Sequence, residues 1–511
     1  MYSTIMTSVL DGIRTIPVCV EVDINDGMPV FDMIGNINQE VREAKERVKT
    51  ALHNCGIVLP AKRITVNLAP GNIRKSGTAF DLSIAVGILS SMGMVDDKLC
   101  ANRIFAGELN LKGELLPVNG VLPIVSDGFS CGCEEFLVPM GNYKEAELVR
   151  GAKIYGFTHL KQVIAFLNGE PYQMPEYNYI EEKTLEKRTY DFSEVNGQQY
   201  MKRACEVSAS GMHNLLMVGP PGAGKTMISE RMPTILPPLD EEEKLELSKI
   251  YSVCGMLSKK NRLLSERPFR NPHHTITRAG LTGGGAALRP GEISLAHQGV
   301  LFLDELTEFD KATLEILRQP LEEHEIHLVR ASGAATYPAS VLLLAAMNPC
   351  ACGYYPDMQK CSCTPAMLKR YLNRISQPLL DRIDICVEAS VLSYEELTGS
   401  TSGESSEKIR ERVVSCHQIQ KKRFSNENFS HNTQIPVAKL KEYCPLGEKQ
   451  QHYMEHMYSK MGMTGRTYHK ILRVARTIAD MDESIDIQMK HLNEAVCYRS
   501  VNEKFWGGSR G

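Results

Sequence analysis

One short run of residues in the middle of the chain decides its fold. The run reads Gly219-Pro220-Pro221-Gly222-Ala223-Gly224-Lys225-Thr226. Glycines at this spacing let backbone N–H groups close around a phosphate, the lysine reaches the β- and γ-phosphate oxygens, and the threonine hydroxyl ligates Mg²⁺. The apolar run 215–218 before it reads as a strand, and residues 227–232 after it suit a helix. The sequence therefore predicts a P-loop that binds ATP with Mg²⁺.

Two further apolar runs end in the polar residues that a nucleotide hydrolase needs. Residues 299–305, GVLFLDE, read as a buried strand that ends in Asp304 and Glu305. In a P-loop protein Asp304 would complete the Mg²⁺ shell through water, and Glu305 would polarise the attacking water. The alternative is a core strand capped by two solvated acids. The run 341–346 is a third strand, and Asn348 at its end is a candidate to orient the lytic water.

Two later arginines are candidates for positions around the γ-phosphate. Arg382 lies in PLLDRID, with Arg374 as its competitor, and Arg466 lies in TGRTYHKILRVARTIAD. An arginine suits this position because its guanidinium is always charged and binds phosphate oxygens in two places. A lone arginine is more often a surface or ion-pair residue, so both interpretations stay open.

The chain divides into three predicted domains, in the order α/β, α/β, all-α. Residues 1–168 mix strands, such as 18–24 and 63–68, with amphipathic helices at 40–52 and 80–92. A polar stretch with two prolines, 169–190, reads as a linker, and the P-loop domain follows at 191–395. Residues 396–511 are amphipathic and helical after a Gly/Ser-rich break at 399–406. One apolar stripe of this helical part contains Ile471, Leu472, Ala475 and Ile478.

The overall composition is that of a globular protein and excludes some classes. Apolar residues make up 43% and charged residues 23% of 511 residues, with a formal net charge of −3. The chain is therefore not globally basic, although a local basic surface remains compatible with this charge. Neither a signal peptide nor an apolar run of membrane-spanning length is recognisable. Fifteen scattered cysteines favour reduced thiols and a cytoplasmic location.

Four cysteines directly after Asn348 depart from that scattered pattern. Cys350, Cys352, Cys361 and Cys363 form C-x-C-x₈-C-x-C, which suits a tetrahedral Zn²⁺ site in a reducing compartment. The spacing leaves three interpretations open: zinc ligands, free thiols, or a disulfide pair. Another C-x-C, at Cys131 and Cys133, has no partner pair, and no role is assigned to it. The remaining histidines, including His273 and His274, are interpreted as hydrogen-bonded loop residues.

The combination of motifs resembles one branch of AAA+ ATPases. Residues 191–505 resemble the Mg-chelatase-like branch, and the whole chain looks like the YifB/ComM family of bacterial proteins. The motifs are DFSEVNGQ (191–198), HNLLMVGPPGAGKT (213–226), RPFRNPHHTIT (267–277), GGGAALRPGEISLAHQGVLFLDELTEF (283–309), AAMNPCACG (345–353) and RISQPLLDRIDI (374–385). The implied fold is a central AAA+ P-loop α/β domain followed by an all-α helical lid.

This resemblance implies a role for each candidate residue. Lys225 and Thr226 become Walker A residues, Asp304 and Glu305 Walker B, and Asn348 sensor 1. Arg382 becomes an arginine finger that acts on a neighbour's ATP, and Arg466 becomes sensor 2. Because a finger comes from the next subunit, the resemblance implies a homo-oligomeric ring, usually a hexamer. The implied nucleotide-binding positions are Gly219, Pro220, Pro221, Gly222, Ala223, Gly224, Lys225, Thr226, Met227 and Asp304.

The resemblance also implies two inserted elements. One is the segment 267–298, and the other is a hairpin at 325–341 with its turn at 331–334. In related replicative helicases such elements point into the pore of the ring and grip DNA. Four arginines on or near these elements are therefore candidate phosphate contacts, although ordinary surface arginines are equally compatible: Arg270, Arg278, Arg289 and Arg330.

The first domain resembles the Lon protease proteolytic fold, a ribosomal protein S5 domain 2-like α/β fold. The resemblance places Ala79 at the position of the catalytic serine and Leu122 at that of the lysine, and neither side chain can attack a carbonyl or accept a proton. Ser76 and Lys75 lie nearby in the wrong register. A non-proteolytic binding or assembly platform is therefore expected.

The family resemblance implies an ATP-driven ring motor that acts on DNA. Family members of the ComM type promote branch migration when incoming DNA is integrated during natural transformation. Two rival functions stay open. One is a chelatase-type ATPase that remodels a protein partner, although the metal-binding integrin-like domain of chelatase partner subunits is missing. The other is an ATP-regulated scaffold.

Overall fold

The computed structural model describes residues 1–177, 190–257, 263–285, 288–330, 333–390 and 403–506. Within these residues the chain forms two large β-sheets and a C-terminal group of helices. Among the described helices none combines the length and the apolar character needed to cross a bilayer.

A seven-stranded mixed sheet forms the centre of the first unit. Its order is β3-β4-β2-β1-β5-β8-β9, with antiparallel β1–β2 and β2–β4 pairs and parallel pairs elsewhere. The predicted strands at 18–24 and 63–68 are confirmed as β2 and β4. The strands are β1 Tyr2–Asp11, β2 Arg14–Asn25, β3 Phe31–Ile34, β4 Arg63–Ala69, β5 Arg103–Phe105, β8 Glu135–Pro139 and β9 Lys153–Phe157, with a small ladder of β6 Glu108–Leu109 and β7 Leu115–Leu116.

Helices cover both faces of this sheet. Alternate residues of its strands point to opposite sides, so each strand contributes apolar side chains to both faces. Phe105 and Leu137 belong to the apolar cluster under α1 and α2, whereas Ile104 and Phe136 belong to the cluster under α3. The predicted helices at 40–52 and 80–92 are confirmed. The helices of this unit are α1 Gln39–Asn54, α2 Asp81–Ser91, α3 Val121–Ser130, α4 Tyr143–Ala146 and α5 Leu160–Leu167.

A five-stranded parallel sheet carries the P-loop. Its order is β11-β14-β17-β10-β18, so β17 lies between the strand before the P-loop and the strand that ends at Asp304. The runs at 215–218, 299–305 and 341–346 are confirmed as strands. The strands are β10 Leu215–Val218, β11 Phe269–Arg270, β14 Val300–Leu303, β17 Leu342–Met347 and β18 Ile385–Glu388.

Two short hairpins interrupt this sheet at the predicted insertions. In the first, β12 (Gly283–Gly284) pairs with β13 (Arg289–Pro290), and in the second, β15 (Glu325–Arg330) pairs with β16 (Gly333–Pro338). Half of the predicted second turn, 331–332, lies outside the described residues. The helices around the sheet are α6 Gln199–Gly211, α7 Lys225–Ile235, α8 Glu241–Val253, α9 Arg278–Thr282, α10 Glu292–Leu295, α11 Lys311–Glu315, α12 Pro320–Glu323, α13 Pro365–Leu372 and α14 Gln377–Leu380.

The C-terminal helices share one core with the P-loop sheet. The predicted stripe of Ile471, Leu472, Ala475 and Ile478 is buried, in the same apolar cluster as the strand residues Leu215 and Leu344. The helical lid is therefore packed on the sheet and does not form a core of its own; residues 391–402, which contain half of the predicted break, lie outside the described residues. These helices are α15 Ser406–Arg423, α16 Leu440–Tyr443, α17 Glu448–Lys460, α18 Gly465–Met481 and α19 Met489–Trp506.

The first unit contacts the P-loop unit through α3 and α8. Lys249 Nζ lies 2.7 Å from Asp127 Oδ1, and Gly120 N donates to Ser252 O at 3.1 Å. The first unit also extends past the predicted boundary at 168, because Tyr172 packs against the Tyr155 ring and its hydroxyl bonds to the Gly156 backbone. Most of the predicted linker, 178–189, lies outside the described residues.

Candidate nucleotide site

The P-loop connects β10 to the first turn of α7. Gly222 and Gly224 have φ angles of +79° and +80°, and a Cβ at either position would meet no heavy atom within 4 Å. Such left-handed glycines turn successive N–H groups towards one point, and the helix N-terminus adds its own free N–H groups. Gln198 supports the loop by donating a hydrogen bond to Ala223 O at 3.1 Å. This residue was not identified as part of the site from the sequence. The loop therefore fits the phosphates of a nucleotide.

Lys225 is folded back onto this loop. Its Nζ donates to Gly219 O at 2.6 Å, to Pro220 O at 2.9 Å and to Asn348 Oδ1 at 3.3 Å. Burial lowers the pKa of the Lys225 ammonium, while the charges of Asp304 and Glu305 act to raise it. The contact with Asn348 exists because β17 lies directly beside β10. Sheet order thus joins the predicted Walker A lysine to the predicted sensor.

Thr226 and Asp304 form the second contact of the site. Thr226 Oγ1 donates to Asp304 Oδ2 at 2.8 Å, and the backbone N–H of Glu305 donates to Asp304 Oδ1 at 2.9 Å. A hydroxyl beside a carboxylate is the oxygen donor set that Mg²⁺ prefers. The residues present therefore fit a magnesium nucleotide.

Glu305 is held in an uncommon backbone conformation at the edge of the site. Its φ is +51°, and its side chain is 59% exposed. Non-glycine residues in this region cost free energy and are found at functional sites more often than elsewhere. His274 Nδ1 lies 3.7 Å from Glu305 Oε2. The interpretation of His274 as a hydrogen-bonded loop residue did not name Glu305 as its neighbour, because nothing local in the sequence connects positions 274 and 305.

The two candidate arginines lie away from this cluster within one chain. Arg382 donates to Arg318 O and Pro378 O and pairs with Glu322 at 2.6 Å, which leaves its side chain 10% exposed. Arg466 is 69% exposed, and its nearest ionic partner is Asp381 at 4.0 Å. Among the described residues neither arginine forms a hydrogen bond or ion pair with Lys225, Thr226, Asp304, Glu305 or Asn348.

Arg374, the competing candidate, lies in a different setting. Its side chain is 50% exposed, and its guanidinium contacts Glu308 Oε1 at 3.0 Å and Thr307 O at 3.1 Å. It therefore lies near the segment that follows Glu305, whereas Arg382 is held by α12. As the arginine finger, Arg374 is favoured by its exposure alone, whereas Arg382 is favoured by the sequence motif.

The two hairpins meet and form one surface. Tyr337 Oη of β16 donates to Leu288 O, beside β13, at 2.9 Å. Arg330 reaches the other hairpin, since its guanidinium lies 3.7 Å from the position of a Cβ at Gly284. Gly284 is paired with Arg289, so the exposed Arg289 and Arg330 belong to the same part of the hairpin surface.

The other two candidate arginines of the insertions are ion-paired. Arg270 is held by both carboxylate oxygens of Glu292, at 2.6 and 2.7 Å, so it is already neutralised, unlike the phosphate contact that the resemblance implied. Arg278 is 63% exposed and lies 4.0 Å from Asp310. The sequence alone could not have shown that Arg270, unlike the exposed arginines, is held by a carboxylate, because this ion pair depends on the fold.

The four clustered cysteines converge in the fold. Their Sγ atoms all lie within 4.8 Å of one another, and all four thiols are free. Cys131 and Cys133 are also free, and no group of metal-binding residues forms around them in the described part of the chain.

The positions expected for protease chemistry in the first unit are occupied by packing groups. Leu122 is fully buried, and its backbone N–H donates to Glu145 Oε1 at 3.0 Å. The same Glu145 oxygen accepts a hydrogen bond from the Ser252 hydroxyl of α8. Lys75 is buried and bonds to Pro70 O.

Comparison with known proteins agrees with this architecture. Three family models match: "Magnesium chelatase, subunit ChlI" over residues 191–397, "Subunit ChlI of Mg-chelatase" over 20–142, and "Magnesium chelatase, subunit ChlI C-terminal" over 403–499. A magnesium-chelatase subunit ChlI of Euglena gracilis is 22% identical over 33% of this chain and 56% of that protein. The fold and the P-loop site thus define an AAA+ ATPase of the Mg-chelatase-like class.

Longer matches identify the family within that class. The YifB protein of Salmonella typhimurium is 39% identical, with 96% of each chain covered, and the YifB protein of Escherichia coli is 38% identical over 98% of this chain and 97% of that protein. The competence protein ComM of Haemophilus influenzae is 39% identical, again over 96% of each chain. The chain belongs to the YifB/ComM family.

Proposed function

We propose that this protein is a ring-forming ATP-driven motor that acts on DNA and promotes branch migration of recombining DNA, as a cytoplasmic enzyme. The observation that carries the proposal is the joined surface of the two hairpins. Arg289 and Arg330 are both exposed on it, and the Arg330 guanidinium lies next to Gly284, the backbone partner of Arg289; Arg270 is instead neutralised by Glu292. Exposed arginines attract a phosphate backbone without regard to base sequence.

In the proposed ATPase site each residue has one task. Lys225 and the loop amides would bind the phosphate oxygens, and Thr226 with Asp304 would hold a magnesium ion, which would supply charge neutralisation when bound with ATP. Glu305 accepts a proton from the attacking water, and Asn348 orients that water from its position beside Lys225. Met227, the residue after Thr226, lies in the first turn of α7, which would border a bound nucleotide.

We propose that the site is completed by a neighbouring subunit. Arg382 and Arg466 make no contact with the Lys225 cluster in their own chain, and Asp381 lies next to Arg382 in sequence and 4.0 Å from Arg466. This grouping supports a face that meets the next subunit's nucleotide in a closed ring, which we expect to be a hexamer.

The first unit is proposed to be a non-proteolytic assembly platform with a Lon-like fold. Where a protease of that type would carry its lysine, Leu122 is buried beside Glu145, which in turn bonds to Ser252 of the ATPase unit. The position is thus used for contact between the two units, which supports a mechanical role and not a hydrolytic one.

The decisive experiment measures ATP turnover with and without forked or Holliday-type DNA. We expect DNA to stimulate turnover and labelled junctions to be branch-migrated. The Arg289→Ala/Arg330→Ala double variant should lose stimulation while keeping DNA-free turnover, since neither side chain belongs to the nucleotide site. Arg63→Ala is the matched control, because Arg63 is 60% exposed but lies on β4 in the first unit.

The proposal fails if DNA neither stimulates turnover nor is remodelled. A family match to magnesium chelatase subunits favours, in that case, an ATPase that remodels a protein partner. If the double variant and the control lose stimulation equally, the hairpin surface is not the DNA contact, although the motor function would stand.

A further inference from the structure

The segment that follows Asn348 is a long excursion without regular structure. Residues 348–364 contain neither helix nor strand, only turns closed by bonds such as Cys361 N to Asp357 O at 2.8 Å. Exposed polar residues dominate its tip, including Asp357, Gln359 and Lys360. A loop of this length without helix or strand would be stabilised by a cross-link.

We propose that Cys350, Cys352, Cys361 and Cys363 bind one Zn²⁺ as a structural centre. Their Sγ atoms lie 3.3 Å (Cys350–Cys352), 3.5 Å (Cys352–Cys361) and 3.8 Å (Cys350–Cys361) apart, and all four fall within 4.8 Å. Tetrahedral zinc with Zn–S bonds of about 2.3 Å requires sulfur atoms about 3.8 Å apart. The four sulfurs therefore already surround a volume of the required size.

The surroundings suit thiolate ligands. The backbone N–H of Tyr355 donates to Cys350 Sγ at 3.4 Å, which is the kind of outer contact that orients and stabilises a metal-bound sulfur. Because the four thiolates would fill all four positions of a tetrahedron, a bound zinc ion would have no open position. Such a site is structural and not catalytic.

The zinc loop also contacts the nucleotide site from two sides. Gly353, at φ +86°, approaches the P-loop so closely that a Cβ there would lie 2.8 Å from Pro221 Cδ. Asn348, two residues before Cys350, bonds to Lys225. On the far side, the Tyr355 and Phe505 rings lie 6.0 Å apart, which joins the loop to α19. We therefore expect zinc to brace the P-loop against the helical lid.

The test is metal analysis of the purified full-length protein, prepared with reductant from zinc-supplemented cells. We expect about one zinc per chain, and less than about 0.1 in a Cys352→Ser/Cys361→Ser variant. Cys131→Ser/Cys133→Ser is the matched control and should keep its zinc, because that C-x-C has no partner pair in the fold. Cobalt(II) exchanged into the wild-type protein should give the visible bands of tetrahedral thiolate coordination.

A second measurement keeps the test decisive if the serine variant does not fold. Titration of the wild-type protein with a mercurial should release zinc to a chelating dye as four thiols react. The proposal is overturned if the wild-type protein lacks zinc, if the double serine variant retains it, or if two of the four thiols prove to be joined in a disulfide.

Discussion

At the scale of single residues, the nucleotide site depends on the positive charge of one lysine and on two neighbouring carboxylates. Lys225 is a cation that donates to the P-loop carbonyls of Gly219 and Pro220, and Glu305 is an exposed acid with a strained backbone conformation. Asp304 accepts a hydrogen bond from the Thr226 hydroxyl, so its carboxylate is placed to act as an oxygen ligand. The two neighbouring acids therefore have different environments and, we propose, different tasks.

Replacing Lys225 by Ala should abolish nucleotide binding. The variant removes several charge-assisted hydrogen bonds to phosphate, so affinity for ATP should fall by about 100-fold or more. Equilibrium binding of a fluorescent ATP analogue would measure this loss. Lys62→Ala, at a half-exposed surface position, should bind as the wild type does. Wild-type affinity in Lys225→Ala would remove the lysine from its proposed role.

Replacing Glu305 by Gln should separate binding from hydrolysis. The amide has nearly the same shape but accepts a proton poorly, so turnover should fall by about 100-fold or more while ATP affinity is kept. Single-turnover hydrolysis together with a binding titration distinguishes the two effects. Unchanged turnover would show that another group activates the water.

At the scale of elements, the contact between α6, α18 and β18 is unusually polar for a buried interface. His213 follows α6, is fully buried, and pairs with Thr477 of α18 at 2.8 Å. Asp384 lies 3.9 Å from the other ring nitrogen but is already bound to Lys470 at 2.8 Å. Burial lowers the pKa of His213 to about 4, and the nearby cations Lys470 and Arg473 add to that effect.

The lowered pKa of His213 predicts loss of stability in mild acid. Below pH about 6.5, the pKa of histidine in the unfolded chain, the unfolded chain binds a proton at His213 that the folded chain does not bind. The free energy of unfolding therefore falls by about 1.4 kcal/mol per pH unit until about pH 4. The thermal midpoint should therefore fall more between about pH 7.5 and about pH 5.5 in the wild type than in His213→Gln. Equal falls would contradict a neutral, buried His213.

At the scale of the whole molecule, we propose that a neighbouring subunit completes the ATPase site. Within a chain, Arg382 is paired with Glu322 of α12 and does not reach the nucleotide cluster. A finger acting in trans would have to leave this partner when subunits assemble. Glu322 is 56% exposed, but the Arg382 side chain is 10% exposed and also donates to Arg318 O and Pro378 O, so the rearrangement has to break these hydrogen bonds as well as the ion pair.

Mixing Arg382→Ala subunits with wild-type subunits should therefore inhibit ATP turnover by the wild-type subunits in the same ring. Turnover should fall more steeply than the fraction of variant subunits, because each variant disables a neighbour's site. Glu322→Gln is the matched control: it breaks the same ion pair but leaves the finger, so mixed rings should stay active. A proportional fall with Arg382→Ala, or an equal fall with both variants, would contradict a finger. The same mixing with Arg374→Ala tests the competing arginine.

The sequence by itself determined the parts that depend on neighbours along the chain. The P-loop, the strands ending at Asp304 and Asn348, and the stripe around Ile471 follow from local spacing and periodicity, and the structure confirms them. Only the tertiary structure decided that Asn348 meets Lys225 and that His274 faces Glu305. It also decided that the lid shares the core of the sheet. These contacts join residues far apart in sequence, so they depend on strand order and packing, which local spacing does not encode.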